Sequence, residues 1–205
     1  MRVVLTGFMG TGKTVVGQRV AERLARPFLD TDAIVERRAG RTVREIFARD
    51  GEDRFRELEH EAVAEACATP DAVVATGGGA LVDDRNFSAL ARDALMVCLT
   101  AEPGVIARRV RATAADRPLL KGRLGLTARI RELLAARAAV YARIPCAVDT
   151  SARTVEQVAD EIVAALANAE RGTARERRRP GGPASTPAPA PRVAAGRAPG
   201  RAATR

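Results

Sequence analysis

The 205-residue sequence predicts an α/β fold, a parallel sheet with helices on both faces. Two observations carry this. Short, continuous apolar runs alternate with longer stretches of helical periodicity, which is the pattern of strands buried on both sides. A glycine-rich turn follows the first run directly. Val3-Val4-Leu5-Thr6 is the first strand, and the turn leads into a helix through Leu24. Phe28-Leu29-Asp30, after Pro27, is the second strand. Helical stretches at about 33–38 and 43–48 precede a longer one at about 53–67. Ala72-Val73-Val74-Ala75-Thr76 is the third strand and ends at Gly77-Gly78-Gly79. After a helix at about 84–91, Ala94-Leu95-Met96-Val97-Cys98-Leu99 is the fourth. Helices at about 103–110 and 126–141 lead to a fifth, Cys146-Ala147-Val148-Asp149, and a helix at about 155–168 follows. Ligands of such sheets bind at the carboxyl ends of the strands. The conspicuous residues sit there, so they are expected to converge on one cleft.

The net charge of +9 depends on where it sits. Residues 171–205 hold nine Arg and one acid, Glu176, giving +8, whereas residues 1–170 carry only +1. The tail also has six of the 11 prolines and no aromatic residue. This divides the chain into a near-neutral body, 1–170, and a tail, 171–205, expected to be disordered. The tail can bind polyanions nonspecifically, with strong salt dependence. The body, with one Tyr and no Trp, lacks stacking residues for nucleic acid. No 18-residue apolar stretch and no signal-peptide pattern is present, so a cytoplasmic protein without membrane association is expected. A near-neutral body without a coiled-coil pattern favours a monomer. Cys67, Cys98 and Cys146 have apolar neighbours and no metal-ligand spacing, which reads as buried free thiols. A single His, His60, argues against a histidine metal site or triad.

Residues 7–14 read Gly-Phe-Met-Gly-Thr-Gly-Lys-Thr, the pattern G-x-x-x-x-G-K-[ST], after a strand and opening a helix. The glycines let backbone N–H groups curl around phosphate oxygens, and the helix start adds its positive dipole end. Lys13, one of only two lysines, reaches the β- and γ-phosphates as a point charge. The Thr14 hydroxyl suits Mg²⁺. The competing reading is a chance glycine turn, but this chain's composition gives roughly 0.001 such matches.

Asp30-Thr31-Asp32 follows the second strand. In an extended segment two carboxylates one residue apart point the same way. One can help to hold Mg²⁺ through water, and the other can orient or deprotonate an acceptor hydroxyl. The alternative is that Asp32 simply caps the next helix. Neither the third nor the fourth strand ends in an acidic residue; Thr76 and Thr100 stand there, leaving Asp30 for the metal. Gly77-Gly78-Gly79 gives no packing, which suggests close backbone approach to a ligand, or else a loose turn. Arg56 and Arg137 lie on helices, where rigid guanidinium forks suit a substrate carboxylate, although most of 32 arginines must be surface residues. Residues 112–123 read as a mobile loop able to close over nucleotide, with Arg117 placed to stabilise the transferring phosphoryl group or, alternatively, a surface salt bridge.

Together these residues resemble the shikimate kinase family. The resemblance rests on Gly7–Thr14, Phe28-Leu29-Asp30-Thr31-Asp32, Phe55-Arg56 followed by Glu59, Gly77-Gly78-Gly79, Arg117-Pro118-Leu119-Leu120, and Arg137 four residues before Tyr141. These cover residues 1 to about 168. Where the family often has Pro-Leu before that tyrosine, this chain has Ala139-Val140. The resemblance implies a nucleoside-monophosphate-kinase-like P-loop fold, three layers α-β-α, with sheet order 2-3-1-4-5. It implies transfer of the γ-phosphoryl of ATP to the 3-hydroxyl of shikimate, in aromatic amino acid biosynthesis. Carried over by position, Gly10, Thr11, Gly12, Lys13, Thr14 and Val15 would hold ATP. Thr14 and Asp30 would serve Mg²⁺. Asp32 would bind and activate the acceptor hydroxyl, Arg56 and Arg137 would clamp the carboxylate, and Gly77, Gly78 and Gly79 would lend N–H groups. Arg117 would reach the phosphates, and Arg109 and Arg153 would flank adenine. A related kinase for gluconate or a nucleoside monophosphate is the alternative enzyme. A nucleic-acid-binding ATPase anchored by the tail is the alternative of another class.

Overall fold

The computed structural model describes residues 1–120 and 125–177. Five strands, β1 (Arg2–Gly7), β2 (Phe28–Asp30), β3 (Val73–Ala75), β4 (Ala94–Thr100) and β5 (Cys146–Asp149), form one parallel sheet in the order β2-β3-β1-β4-β5. β1 is central, with Val4 opposite Val74 on one side and Met96 on the other. The five apolar runs of the sequence are these strands.

Side-chain alternation along β1 divides the core into two layers. Val4 faces a cluster built with α2 (Thr31–Ala39), α3 (Val43–Arg49), α4 (Gly51–Ala68) and α5 (Asp84–Ala91), through Ile34, Ile46, Leu58 and Leu90. Val3 and Leu5 face α1 (Lys13–Leu24) and α8 (Val155–Arg177), through Val16, Val20, Ile162 and Leu166. A third cluster at the carboxyl end joins Phe8 to α6 (Pro103–Val110) and α7 (Leu126–Tyr141), through Ile106, Val110 and Ile130. Each such side chain, fully buried, contributes about 2 kcal/mol by transfer from water. Phe8, the residue after β1, is thus an apolar anchor for the phosphate loop rather than a loose loop position.

Four local expectations are corrected. The strand ends at Asp30, and Thr31 and Asp32 already belong to α2, so the two carboxylates do not share one face of an extended segment. Asp30 itself is the helix cap, its side chain accepting from the Asp32 N–H at 3.0 Å; Asp32 is not. At the other end α8 continues through Arg177, past the break expected at Arg171. Arg171, Ala174, Arg175, Glu176 and Arg177 are good helix formers, and with them the helix runs on through Arg177. The rest of the tail, 178–205, lies outside the described residues. The three cysteines are free, but only Cys98 is buried; Cys67 and Cys146 are half-buried.

Candidate active site

The phosphate loop begins where β1 ends. Gly12 adopts φ 95° as the residue before α1, a left-handed conformation that favours glycine. The loop curls with Thr11 buried and its hydroxyl donating to the Phe8 carbonyl at 2.8 Å. The Lys13 ammonium donates to the same carbonyl at 3.0 Å. Burial pulls its pKa down to about 8, opposed by the attraction of Asp32 and Asp30. The Thr14 hydroxyl donates to Oδ2 of Asp30 at 2.8 Å. Val15 exposes its side chain to solvent.

Beside this loop lies a cleft of about 540 Å³, lined by Asp32, Glu36, Glu59, Arg56, Arg117, Arg137 and the glycine run, with Met9, Phe47, Phe55, Pro118 and Leu119 as apolar walls. The glycines separate its charges. A Cβ on Gly77 would lie 2.6 Å from Glu59 Oε1 and 2.7 Å from Asp32 Oδ1. A Cβ on Gly79 would lie 3.0 Å and 3.2 Å from the Arg56 nitrogens and 3.4 Å from Arg137 Nη2. The chain therefore threads between an acidic pair at one end, where a Cβ would collide, and a guanidinium pair at the other, where it would press on the arginine ends. Gly77 is fixed by its N–H, which donates to the Thr31 hydroxyl at 2.9 Å.

Asp32 is pushed up to about 6, chiefly by burial and then by the neighbouring Asp30 charge, with Lys13 pulling the other way. Such a group is close to the pH at which it exchanges a proton efficiently. Glu59 is almost wholly buried, with Oε2 accepting from Arg56 at 2.8 Å and Oε1 without a hydrogen-bond partner. Burial raises its pKa, against the pull of Arg56. Arg56 also bonds Glu52 through Nε and Nη2. Burial would lower the Arg56 pKa, but Glu59 and Glu52 outweigh it and raise it. Arg137 is buried, stacks 5.4 Å above the centre of the Phe8 ring and donates to the Gly78 carbonyl at 2.9 Å.

The loop before α7 contains 3-10 turns at Arg111–Asp116 and Pro118–Leu120, so residues 112–120 have more regular structure than the expected mobile loop; residues 121–124 lie outside the described ones. Arg117 makes no surface salt bridge among the described residues. Its Nε donates to the Thr113 hydroxyl at 3.3 Å, and it lines the cleft. Arg109 lies on the far side of the phosphate loop, bonding the Gly10 carbonyl at 3.3 Å and both the hydroxyl and carbonyl of Thr150. Arg153 pairs with Glu161 at the start of α8, outside the cleft. Two residues escaped the sequence reading as individual site groups. Glu59 had a signal, an acid three residues after Arg56 on an apolar helix face. Thr150, whose hydroxyl lies 3.0 Å from the Thr11 carbonyl, had none.

A phosphate loop on a five-stranded parallel sheet, opening onto a cleft with a carboxylate and paired guanidinium groups, defines an ATP-dependent phosphotransferase of the P-loop kinase fold. The comparisons carry this further. The shikimate kinase family model matches residues 9–167. The shikimate kinase of Caldanaerobacter subterraneus subsp. tengcongensis is 45% identical over 163 residues, 80% of this chain and 94% of that protein. That of Symbiobacterium thermophilum is 46% identical over 168 residues, 81% and 96% of the two chains. The structure of shikimate kinase from Acinetobacter baumannii in complex with shikimate superimposes with a TM-score of 0.78 at 31% identity, covering 82% of this chain and 94% of that one. The chain belongs to the shikimate kinase family.

Proposed function

We propose that the protein transfers the γ-phosphoryl group of ATP to the 3-hydroxyl of shikimate, giving shikimate 3-phosphate and ADP, as a step of aromatic amino acid biosynthesis. The observation that supports this best is the division of charge along Gly77–Gly79, an acid pair for hydroxyls at one end and a guanidinium pair for a carboxylate at the other. A hydroxylated ring acid needs both.

The residues take these roles. The Gly10–Val15 segment and the dipole of α1 cradle the ATP phosphates. Arg56 and Arg137 bind the substrate carboxylate, and the glycine backbone lies against the ring. Asp32 accepts a hydrogen bond from the acceptor hydroxyl and takes its proton as the new P–O bond forms. The bond from the γ-phosphorus to the bridging oxygen breaks, and its electron pair leaves with ADP. Lys13 and Arg117 stabilise charge on the transferring group. Arg109 and Arg153 flank adenine in this reading; Arg109 also ties Gly10 to Thr150.

Thr14 and Asp30 would hold Mg²⁺. Their oxygen atoms are the hard ligands it prefers, and no cluster of three or more His, Cys, Asp or Glu able to cage a metal exists among the described residues. That fits an ion shared with substrate phosphates, where it neutralises phosphate charge. A monomer without a nucleic acid partner is part of the same reading. No helix among the described residues is long and apolar enough to cross a membrane, and a cytoplasmic location is part of the same reading.

The test is an ADP-release assay with Mg-ATP and, in separate arms, shikimate, gluconate and CMP. Turnover with shikimate exceeding the other arms by at least tenfold is expected. Preference for gluconate or CMP, or no acceptor-dependent turnover, overturns the reading.

A further inference from the structure

Tyr141 is the only tyrosine in the chain, and it stands one helical turn after Arg137 on α7. Residues four apart share a helix face. Here both reach the same atom. The Tyr141 hydroxyl donates to the Gly78 carbonyl oxygen at 2.8 Å, and Arg137 Nη1 donates to it at 2.9 Å. A carbonyl oxygen has two lone pairs, so these two donors saturate it. Burial raises the tyrosine pKa, which keeps the hydroxyl a donor at neutral pH.

The peptide they hold is the least constrained kind. A Gly-Gly peptide has wide freedom at both flanking dihedrals and can rotate at little cost. There are no cis peptide bonds in the described chain, so the Gly79 N–H points opposite to the Gly78 carbonyl. Neither the Gly78 nor the Gly79 N–H bonds to another backbone group of the described residues. Gly79 itself lies between the Arg56 and Arg137 guanidinium groups.

We propose that Tyr141 is a positioning residue for the acceptor site: by fixing the Gly78 carbonyl it sets the orientation of the Gly78–Gly79 peptide, aims the Gly79 N–H at the substrate carboxylate, and holds Arg137 with one nitrogen on that carbonyl and the other toward the carboxylate. The inference rests on the shikimate reading above. Tyr141 touches no reacting atom, so its influence falls on acceptor binding and not on the transfer step.

The experiment is steady-state kinetics of wild type and Tyr141→Phe, with shikimate and ATP varied separately and the melting temperature measured on each. The ring is kept and one neutral hydrogen bond is lost, so KM for shikimate should rise about fivefold or more. The kcat should stay within about twofold and KM for ATP should not move. An unchanged KM for shikimate overturns the proposal, as does a parallel loss of kcat and ATP affinity, which marks general damage. Should the variant fail to fold, wild type supplies its own reading. With no Trp present, tyrosine emission comes from Tyr141 alone. Shikimate should change that emission saturably and ATP alone should not; no change with shikimate overturns the proposal. A wild type without shikimate-dependent turnover overturns the functional reading and this inference together. An active wild type with an unaltered Tyr141→Phe variant overturns this inference alone.

Discussion

Thr14 and Asp30 are joined by a 2.8 Å hydrogen bond that ties the first turn of α1 to the end of β2. The pair places a hydroxyl and a carboxylate side by side at the mouth of the phosphate loop. Asp30 uses its other oxygen to cap α2, which locks its rotamer. Thr14→Val keeps the shape and removes the hydroxyl. The Mg²⁺ concentration for half-maximal activity should rise at least about tenfold, equivalent to about 1.4 kcal/mol. A magnesium titration of activity measures this; an unshifted midpoint removes Thr14 from the metal site.

Asp32 and Lys13 set the pH dependence. The carboxylate must be ionised to accept a proton, and it titrates at about 6 in the free enzyme. The ammonium must be charged to meet phosphate, and it titrates at about 8. The kcat/KM profile should therefore be a bell, falling below about pH 6 and above about pH 8. Asp32→Asn should lower kcat by about 10² to 10⁴ while ATP binding persists. Its residual activity should lack the acid limb.

The same carboxylate carries a stability consequence. Its folded pKa lies above the reference value of 3.8, so the folded state binds the proton more tightly than the unfolded chain. Stability from this group is complete below the unfolded value and is lost as pH rises through about 6. At pH 8 the buried charge is a cost, on the order of 3 kcal/mol. Asp32→Asn should thus raise the melting temperature at pH 8 and change it little at pH 3.5. A denaturation series across pH checks the sign; a lower melting temperature at pH 8 contradicts it.

Gly77 and Gly79 should fail differently. Alanine at Gly77 collides with Asp32 and Glu59, so kcat should fall about 100-fold or more. Alanine at Gly79 presses the Arg56 and Arg137 side chains, whose ends can shift by tenths of an ångström, so KM for shikimate should rise with a smaller change in kcat. The two variants compared in one kinetic series test whether the charges are divided as described.

Truncation after Arg177 should leave kcat and both KM values within about twofold. The carboxyl-terminal part of α8 lies near Met1 at the start of β1, with Glu170 4.0 Å from the Met1 ammonium, whereas the cleft is at the opposite end of the strands. Loss of activity on truncation would give the tail a catalytic part.

The sequence showed most of this where one residue type has one physical use. The glycine-lysine loop, the apolar strands and Gly77-Gly78-Gly79 belong to that group, and each falls where expected. It showed less where tertiary packing decides. Asp30 and Asp32 were visible as a pair, but the strand ends between them because Asp30 caps α2. Arg137 sits among alanines on a helix whose apolar face is weakly marked, so its burial over Phe8 is visible only once α7 is packed against the phosphate loop. The end of α8 was misplaced because Arg-rich composition signals exposure, and exposure does not distinguish a solvated helix from an unfolded tail.

The most direct measurement is the identity of the phosphorylated product. Purified protein incubated with Mg-ATP and shikimate should yield ADP and shikimate monophosphate in equal amounts, with phosphorus–proton correlation placing the phosphate on the 3-hydroxyl. Phosphate on another hydroxyl, or ADP formed without a phosphorylated acceptor, would contradict the role given to Asp32 and the orientation imposed by Arg56 and Arg137.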